Sequence, residues 1–192
     1  MKSKLITAAL FSIALVAGTT SIIAQDKMMK NEKTVMVGGA EMYPSKTIVA
    51  NAVNSKDHTT LVAAVKTADL VETLQSDGPF TVFAPTNSAF EKLPKGTVES
   101  LLKPENKMKL QTILTYHVVS GKHSASDIKK DITKANGKAT YKTVSGGTLS
   151  ATMKGKNILL MDENGGMATV TIADVNQSNG VIHVIDSVVL PK

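Results

Sequence analysis

The sequence predicts a single domain of the α+β class, with short helices first and a run of antiparallel strands last. Apolar residues recur at helical spacing from about residue 46 to residue 114. From Ala139 onward, apolar and polar residues alternate instead, which is the period of a strand. Helices and strands that are segregated along a chain favour α+β over an alternating α/β fold.

Residues 1–24 have the pattern of a secretory signal peptide. Two lysines precede the apolar run Leu5–Ala17, which is too short to span a bilayer, and small or aliphatic residues then lead to a polar segment. We expect cleavage between Ala24 and Gln25. The prediction is a secreted protein in the periplasm, at the cell surface or in the medium, with no membrane span after cleavage.

The part after the signal peptide suits one ordinary domain. Residues 25–44 are polar or glycine-rich, and they predict a flexible N-terminal segment. Residues 45–192 are predicted to form the folded domain. The chain has no cysteine, so neither disulfides nor a lipid anchor on cysteine can form.

The charge of the chain limits the kinds of partner that it is expected to bind. The net charge is +6, and all 22 basic residues are lysine. Arginine, which supplies the fork for phosphates and guanine edges, is absent, as is tryptophan. We therefore expect no nucleic-acid partner and interpret the lysines of Lys107–Lys109 and Ile128–Lys134 as solvated faces. A mild positive charge favours anionic surfaces such as a cell envelope.

Two helices are predicted before the first strand of the domain. Lys46–Val53 has helical spacing of apolar residues and predicts a short helix. Residues 59–75 predict a longer helix, capped by Thr59 or Thr60 and ended by the turn residues 76–79.

A strand and a very short helix follow. Phe80–Ala84 has the β-branched and aromatic content of a strand. Ser88 and Glu91 match a capping box, with Thr86 as the rival cap. Proline and glycine end that helix before Thr97.

Two more helices are predicted between Gly96 and the middle of the chain. Pro104 suits the first turn of the second one, whose buried side would hold Met108, Ile113 and Leu114. The segment "TYHVVSG" that follows predicts a strand closed by glycine.

Five strands are predicted after Ala139, in "ATYKTV", "GTLSATM", "NILLMD", "MATVTIAD" and "GVIHVIDSVVL". Glycine-rich turns separate most of them. The last segment is apolar on both faces, which predicts a central strand that is covered on both sides.

A search for catalytic and metal motifs finds none. The four histidines, His58, His117, His123 and His183, lack metal-ligand spacing, and no hydrolase elbow or phosphate loop is present. Asp162–Gly166 is interpreted as a hairpin turn rather than a calcium loop. We expect no metal, no cofactor and no catalytic residues, so an enzyme is the third hypothesis. His117 and His183 are interpreted as packing residues within strands, with a ligand or pH-sensitive contact as the alternative.

Three segments resemble the fasciclin domain family. "FTVFAPTNSAF" resembles its first signature, "LTYHVVSG" its central Tyr-His motif, and "SNGVIHVIDSVVLP" its second signature. They occur in the order of the family, and the likeness extends over nearly everything after Ser45.

The resemblance implies a fold and candidate interaction residues. The implied fold is a wedge, a β-sandwich of short, mostly antiparallel strands with several small helices packed along one side. Tyr116 and His117 match the Tyr-His motif, and Asp174 and Val175 match the Asp-Ile pair used in receptor binding by some animal members, with valine in place of isoleucine. These four residues are the candidate interaction residues.

The remaining signature residues are expected to form core. Three phenylalanines within a short stretch should fill the junction where the helices meet the sandwich. The signature core residues are Phe80, Phe83, Pro85, Thr86, Phe90 and His183.

The leading functional hypothesis is a secreted, non-catalytic module for cell adhesion or for contact with a cell surface or extracellular matrix. Its partner would be an unidentified surface protein, polysaccharide or envelope component. The alternative is a periplasmic or extracellular carrier of an apolar small molecule or lipid, because nine methionines and few aromatic residues leave room for an adaptable apolar groove. The oligomeric state is open.

Overall fold

The structure, a computed structural model, describes residues 32–192. The predicted signal peptide and its cleavage site lie outside the described residues. Residues 33–192 form one compact unit.

The described residues form seven α-helices, two 3₁₀ turns and nine strands. The helices are α1 (Ile48–Ala52), α2 (Thr59–Thr67), α3 (Val71–Gln75), α4 (Asn87–Glu91), α5 (Thr97–Leu101), α6 (Lys107–Tyr116) and α7 (Ala125–Lys134). The 3₁₀ turns are Lys56–His58 and Pro104–Asn106. The strands are β1 (Val35–Val37), β2 (Ala40–Met42), β3 (Phe80–Pro85), β4 (Val118–Ser120), β5 (Lys138–Lys142), β6 (Thr148–Lys154), β7 (Asn157–Met161), β8 (Met167–Gln177) and β9 (Gly180–Ile185).

The N-terminal hairpin corrects the prediction that residues 25–44 are flexible throughout. Strands β1 and β2 pair in antiparallel register, and Val37 and Met42 are buried in the core. Gly38 and Gly39 both have positive φ, as a two-residue hairpin turn requires. The folded domain therefore begins before Ser45, and the Gly-Gly pair was the signal for it.

The predicted helix over residues 59–75 is two helices. It breaks after α2, where Asp69 adopts a positive φ of 53°, and resumes as α3. Neither predicted cap residue caps it with its own side chain. Instead, the side-chain oxygen of Asn87 accepts from the Thr60 N–H at 3.0 Å and from the Thr59 hydroxyl at 3.2 Å. Because this cap for α2 is a residue of α4, the sequence around Thr59 and Thr60 does not indicate it.

Thr86 rather than Ser88 caps α4. The Thr86 hydroxyl accepts from the Ala89 N–H at 3.3 Å, whereas Ser88 is an exposed residue within the helix. The capping box predicted from Ser88 and Glu91 is therefore wrong, and its rival is confirmed.

Two predictions about the middle of the chain are wrong. Met108 is 81% exposed, and Leu110 takes the buried place expected for it. Helix α6 extends to Tyr116 and His117 is its C-cap residue, so β4 begins only at Val118.

Helix α7 was not predicted, because its lysines were interpreted only as a solvated face. Ser124 and Asp127 form a reciprocal capping box at its start. Ile128 and Ile132, four residues apart, are buried on its inner side. Both signals are present in the sequence.

The α+β class is confirmed. Seven strands form one mixed sheet in the order β4-β3-β9-β8-β7-β6-β5, in which only β3 and β9 run parallel. A bridge between Val119 and Thr143 joins the two ends of the sheet, so the sheet curls nearly into a barrel. Strand β9 is buried over its whole length, as predicted for a central strand.

The two faces of β3 and β9 pack into different cores. On one face, Val82 and Val184 belong to a core shared with the N-terminal hairpin and helices α1–α3, α5 and α6. On the other face, Phe83 and Ile185 belong to a core enclosed by the curled sheet and α7. Side chains on a strand alternate between faces, so each strand supplies both cores.

The three phenylalanines of the first signature do not share one core. Phe83 is 1% exposed and lies inside the curled sheet. Phe80 and Phe90 are half-buried and pack against the helical core. The prediction that all three fill one junction is correct for Phe80 and Phe90 and wrong for Phe83.

We expect Phe83→Ala to lower the free energy of unfolding by about 3–5 kcal/mol, because it leaves a cavity in a tightly packed core. Phe90→Ala is the matched control and should cost less than half of that, since its ring is half-buried. Urea unfolding followed by circular dichroism measures both. Equal losses for the two variants would contradict the assignment of Phe83 to an enclosed core.

Candidate functional site

Tyr116 lies at the end of α6 with its ring fully buried. Its hydroxyl donates to the Thr148 carbonyl at 2.6 Å and accepts from the Glu163 N–H at 3.3 Å. Burial raises the pKa of Tyr116 to about 12, although the hydrogen bond from the Glu163 N–H opposes the shift. A Cβ at Gly147 would lie 2.7 Å from the ring, so this glycine permits the ring to pack there. Tyr116 ties helix α6 to the turns of the strand region.

His117 is the C-cap residue of α6 and is 3% exposed. Its Nδ1–H donates to the Ile113 carbonyl at 2.8 Å, and its Nε2 accepts from the Val189 N–H at 3.2 Å. These two partners select the neutral ring with the proton on Nδ1. Burial lowers the pKa of His117 to about 4, although the Ile113 carbonyl and the Asp162 carboxylate oppose the shift. The ring joins the end of α6 to the C-terminal segment.

Asp174 and Val175 lie at an irregularity in the pairing of β8 with β9. Val175 is 1% exposed and belongs to the helical core. Asp174 adopts a positive φ of 59°, and its Oδ1 accepts from the Ala125 N–H at 2.7 Å. A carboxylate at the first residue of α7 complements the positive end of the helix. Asp174 thus fixes the start of α7 against the sheet.

His183 is fully buried inside the curled sheet, where it stacks on Phe83 with ring centroids 5.7 Å apart. Its Nε2–H donates to the His123 carbonyl at 2.9 Å, and its Nδ1 accepts from the Asp174 N–H at 3.3 Å. Burial lowers the pKa of His183, against the opposite effects of the His123 carbonyl and the Asp174 carboxylate. The interpretation of His183 as a packing histidine in a strand agrees with this geometry.

The four candidate interaction residues fall into two groups with different roles. Tyr116, His117 and Val175 are buried, and this contradicts direct contact of their side chains with a partner. Asp174 alone is half-exposed. Within the described residues, no hydrogen bond joins the Tyr116–His117 pair to Asp174.

The other signature residues support the corner between β3 and α4. Pro85 is buried at the end of β3, and Thr86 provides the N-cap described above. The backbone there is held to β9 by the Thr86 N–H, which donates to the Ile185 carbonyl at 3.3 Å.

Asp162 has a structural role that goes beyond the predicted hairpin turn. The predicted hairpin turn is present between β7 and β8, and Asp162 is 8% exposed. Its Oδ1 accepts from the Asn164 and Gly166 N–H groups, and its Oδ2 accepts from the Leu190 N–H at 2.9 Å. Three backbone donors occupy the carboxylate, so it anchors the C-terminal segment to the turn. The aspartate-glycine pattern of the turn was the available signal.

The outer side of α7 is the accessible surface beside Asp174. An open depression of about 700 Å³ lies there, lined by Asp174 and by the exposed Lys129, Lys130 and Lys134. Lys130 pairs with Asp127 at 3.6 Å, and the other two lysines form no ion pair within the described residues. The surface is therefore mainly basic.

Neither a metal-binding cluster nor a membrane-spanning helix is present within residues 32–192. No group of three or more His, Asp and Glu side chains there could hold a metal ion. No helix in that range has the length and apolar character needed to cross a membrane.

Comparison with known proteins identifies the class. Residues 56–191 match the family model of the fasciclin domain, and the chain belongs to the fasciclin domain family. Protein sll1483 of Synechocystis is 48% identical over 170 residues, which cover 88% of this chain and 87% of that protein. The cell surface glycolipoprotein MPB83 of Mycobacterium bovis is 39% identical over 123 residues, covering 64% of this chain and 48% of that protein.

A solved structure agrees with the fold. A FAS1 domain pair from the insect cell adhesion molecule fasciclin I superposes with a TM-score of 0.68 at 18% identity. The match covers 83% of this chain and 58% of that chain. At this identity the likeness concerns the fold alone.

We expect the stability of the domain to fall as the pH drops from 6.5 towards 4, because the folded pKa of His117 is depressed from 6.5 to about 4. Over this range His117 binds a proton in the unfolded chain but not in the folded chain. This difference lowers the free energy of unfolding by about 3 kcal/mol. Above pH 6.5 its contribution is fully present. Urea titrations at several pH values measure the slope.

The variant His117→Gln should flatten that slope by about one proton. If this variant keeps the slope of the wild type, His117 is not the group that resists protonation.

We expect Asp174→Ala to destabilise the domain by about 2–3 kcal/mol, because α7 loses its carboxylate and alanine is strained at positive φ. Asp174→Asn should cost less than about 1 kcal/mol, since asparagine tolerates this backbone and keeps an acceptor oxygen. Asp174→Gly also lacks the carboxylate, but glycine is not strained at positive φ. The difference between the glycine and alanine variants therefore measures the strain alone. Hydrogen exchange of the α7 amides, together with urea unfolding, measures the effect, and equal stabilities for all four proteins would contradict it.

Proposed function

We propose that this protein is a secreted, non-catalytic fasciclin module that adheres to an anionic component of a cell surface or extracellular matrix. Its membership of the fasciclin domain family supports an adhesion-related role. The names of two similar proteins, a cell surface glycolipoprotein and an insect cell adhesion molecule, point to the same setting.

Export is supported by the signal-peptide pattern of residues 1–24. An extracytoplasmic location also suits a chain without cysteine, because its domain depends on burial and hydrogen bonds and is indifferent to an oxidising compartment.

A non-catalytic role is supported by the state of the two signature histidines. Both ring nitrogens of His117 and of His183 are engaged in hydrogen bonds, and both rings are buried. Burial also holds the pKa of each below its usual value, so both are neutral at neutral pH. A general acid or base needs access to substrate, which neither ring has.

The observation that carries the proposal is the basic outer face of α7. Lys129 and Lys134 are exposed on it beside the depression, and neither forms an ion pair with any residue of the range 32–192. A cluster of lysines attracts carboxylate-bearing or phosphate-bearing polymers over a distance set by salt. Asp174 fixes α7 on the sheet, so the cluster is presented on a rigid element.

We expect the double variant Lys129→Gln/Lys134→Gln to bind envelope material at least about fivefold more weakly than the wild type, because two contacts of about 0.5 kcal/mol each are lost. Cosedimentation with an insoluble envelope fraction measures binding, and alginate serves as a defined anionic polysaccharide. The control is Lys103→Gln/Lys109→Gln, which removes the same charge from exposed positions next to and within α6. Binding by the wild type and the control should fall together as salt is raised.

Two results would count against the proposal. If the wild type binds neither envelope material nor alginate above background, the adhesive function is wrong. If both double variants weaken binding equally, binding depends on the net charge of the protein and not on the outer face of α7.

A further inference from the structure

An apolar cavity of about 280 Å³ lies within the helical core. It is enclosed by the N-terminal hairpin, helices α1–α3 and α6, and the helix-facing side of the sheet. Its lining is almost entirely aliphatic and includes Ile48, Leu61, Val65, Leu74, Leu114 and Ile182. Well-packed interiors contain few voids larger than a water molecule, so a space of this size in the core is unusual.

The cavity is large enough for an organic molecule. An engineered protein cavity of about 150 Å³ lined by similar side chains binds benzene. By the same proportion, this cavity accommodates a molecule of about ten carbon atoms.

The cavity reaches the surface between α1, α2 and α3. Val53, which is 48% exposed, lines it together with the exposed Lys66 and Gln75. Residues that line the cavity at one end are thus in contact with solvent, which gives a ligand a route of entry.

One residue that lines the cavity, His58, has a buried polar atom without a hydrogen-bond partner. His58 is 3% exposed, and its Nδ1 lies 2.9 Å from the hydroxyl oxygen of Ser55. Its Nε2 is the one buried side-chain nitrogen or oxygen of the described residues without a partner among the protein atoms. The Ala84 carbonyl raises the pKa of His58 but lies outside hydrogen-bonding geometry. His117 also lines the cavity, but both of its ring nitrogens are engaged.

An unpaired buried nitrogen is unfavourable, because the group has lost its hydrogen bonds to water and gained none in return. A water molecule is a poor remedy, because a buried water needs two to four polar partners and most residues of the lining are aliphatic. An apolar molecule with one polar group relieves the penalty and also fills the aliphatic space.

The state of His58 selects the polar group. Burial lowers the pKa of His58, so the ring is neutral at neutral pH and does not attract an anion. Ser55 can donate to Nδ1 or accept from it, so Nε2 can be the donor or the acceptor. A hydroxyl group matches both tautomers, whereas a carbonyl matches only one.

We propose that this cavity binds an uncharged apolar alcohol of about ten carbon atoms, whose hydroxyl group hydrogen-bonds to His58 Nε2. This inference goes beyond adhesion through α7, because it rests on a different part of the fold. Its success or failure leaves the adhesive proposal as it stands.

The test compares n-octanol with n-octane, which has the same carbon chain without the hydroxyl group. Titrations followed by heteronuclear NMR give the Kd of each for the purified protein, with n-octane supplied through the vapour. Long-range spectra of the histidine rings report Nε2 of His58 directly. We expect n-octanol to bind and to shift the His58 Nε2 resonance, and n-octane to bind without that shift.

The variant His58→Phe removes Nε2 and keeps a ring of similar size. It should weaken n-octanol about tenfold and leave n-octane unchanged or tighter, because only the alcohol loses a hydrogen bond. If this variant does not fold, His58→Asn keeps a polar group near Ser55 and removes Nε2. The variant Ala52→Leu, which places a larger side chain at the cavity lining, should weaken both molecules.

Three outcomes would overturn the proposal. The first is that the wild type binds neither molecule. The second is that Ala52→Leu leaves both affinities unchanged, since binding would then occur elsewhere. The third is that the His58 variants change the affinities of n-octanol and n-octane by the same factor, which would place the hydroxyl group away from Nε2.

Discussion

The parallel pairing of β3 with β9 is the contact on which the rest of the structure depends. It is the only parallel pair in the seven-stranded sheet, it joins a strand of the first half of the chain to the last one, and β9 is buried over its whole length. A Cβ at Gly180 would lie 2.1 Å from the Phe80 carbonyl oxygen, so the start of the pairing requires glycine. Since alternate residues face opposite sides, this pair distributes its side chains between two cores.

The predictions succeeded where one local pattern decided the structure. The period-2 segments after Ala139 and the fully apolar β9 were identified because burial on a sheet produces a recognisable pattern of apolar residues along each strand. One of the failures involves a partner that is distant in the chain. Thr59 and Thr60 resemble caps, yet Asn87 of α4 receives their hydrogen bonds. Helix α7 was missed for a different reason. Its lysines led to the interpretation of a solvated face, although two isoleucines of the helix face the core.

The candidate site illustrates the same limit. The family resemblance marked Tyr116 and His117 as candidate interaction residues, but sequence alone could not show that both are buried. His117 binds Ile113 through Nδ1 and Val189 through Nε2, so it connects α6 to the C-terminal segment. A motif that fixes a helix end looks, in sequence, the same as a motif that contacts a partner. Burial and hydrogen-bond partners decide between the two.

Asp174 and Val175, predicted as one interaction pair, act on opposite sides of the sheet. The positive φ of Asp174 interrupts the alternation of β8 and directs its carboxylate to the first N–H group of α7. Val175 faces the helical core and lines the apolar cavity. One irregularity in β8 therefore positions the basic outer helix and completes the wall of the inner cavity. The contact of Asp174 with α7 and the lining that Val175 provides are thus two separate consequences of the same irregularity, although the two residues are neighbours in the chain.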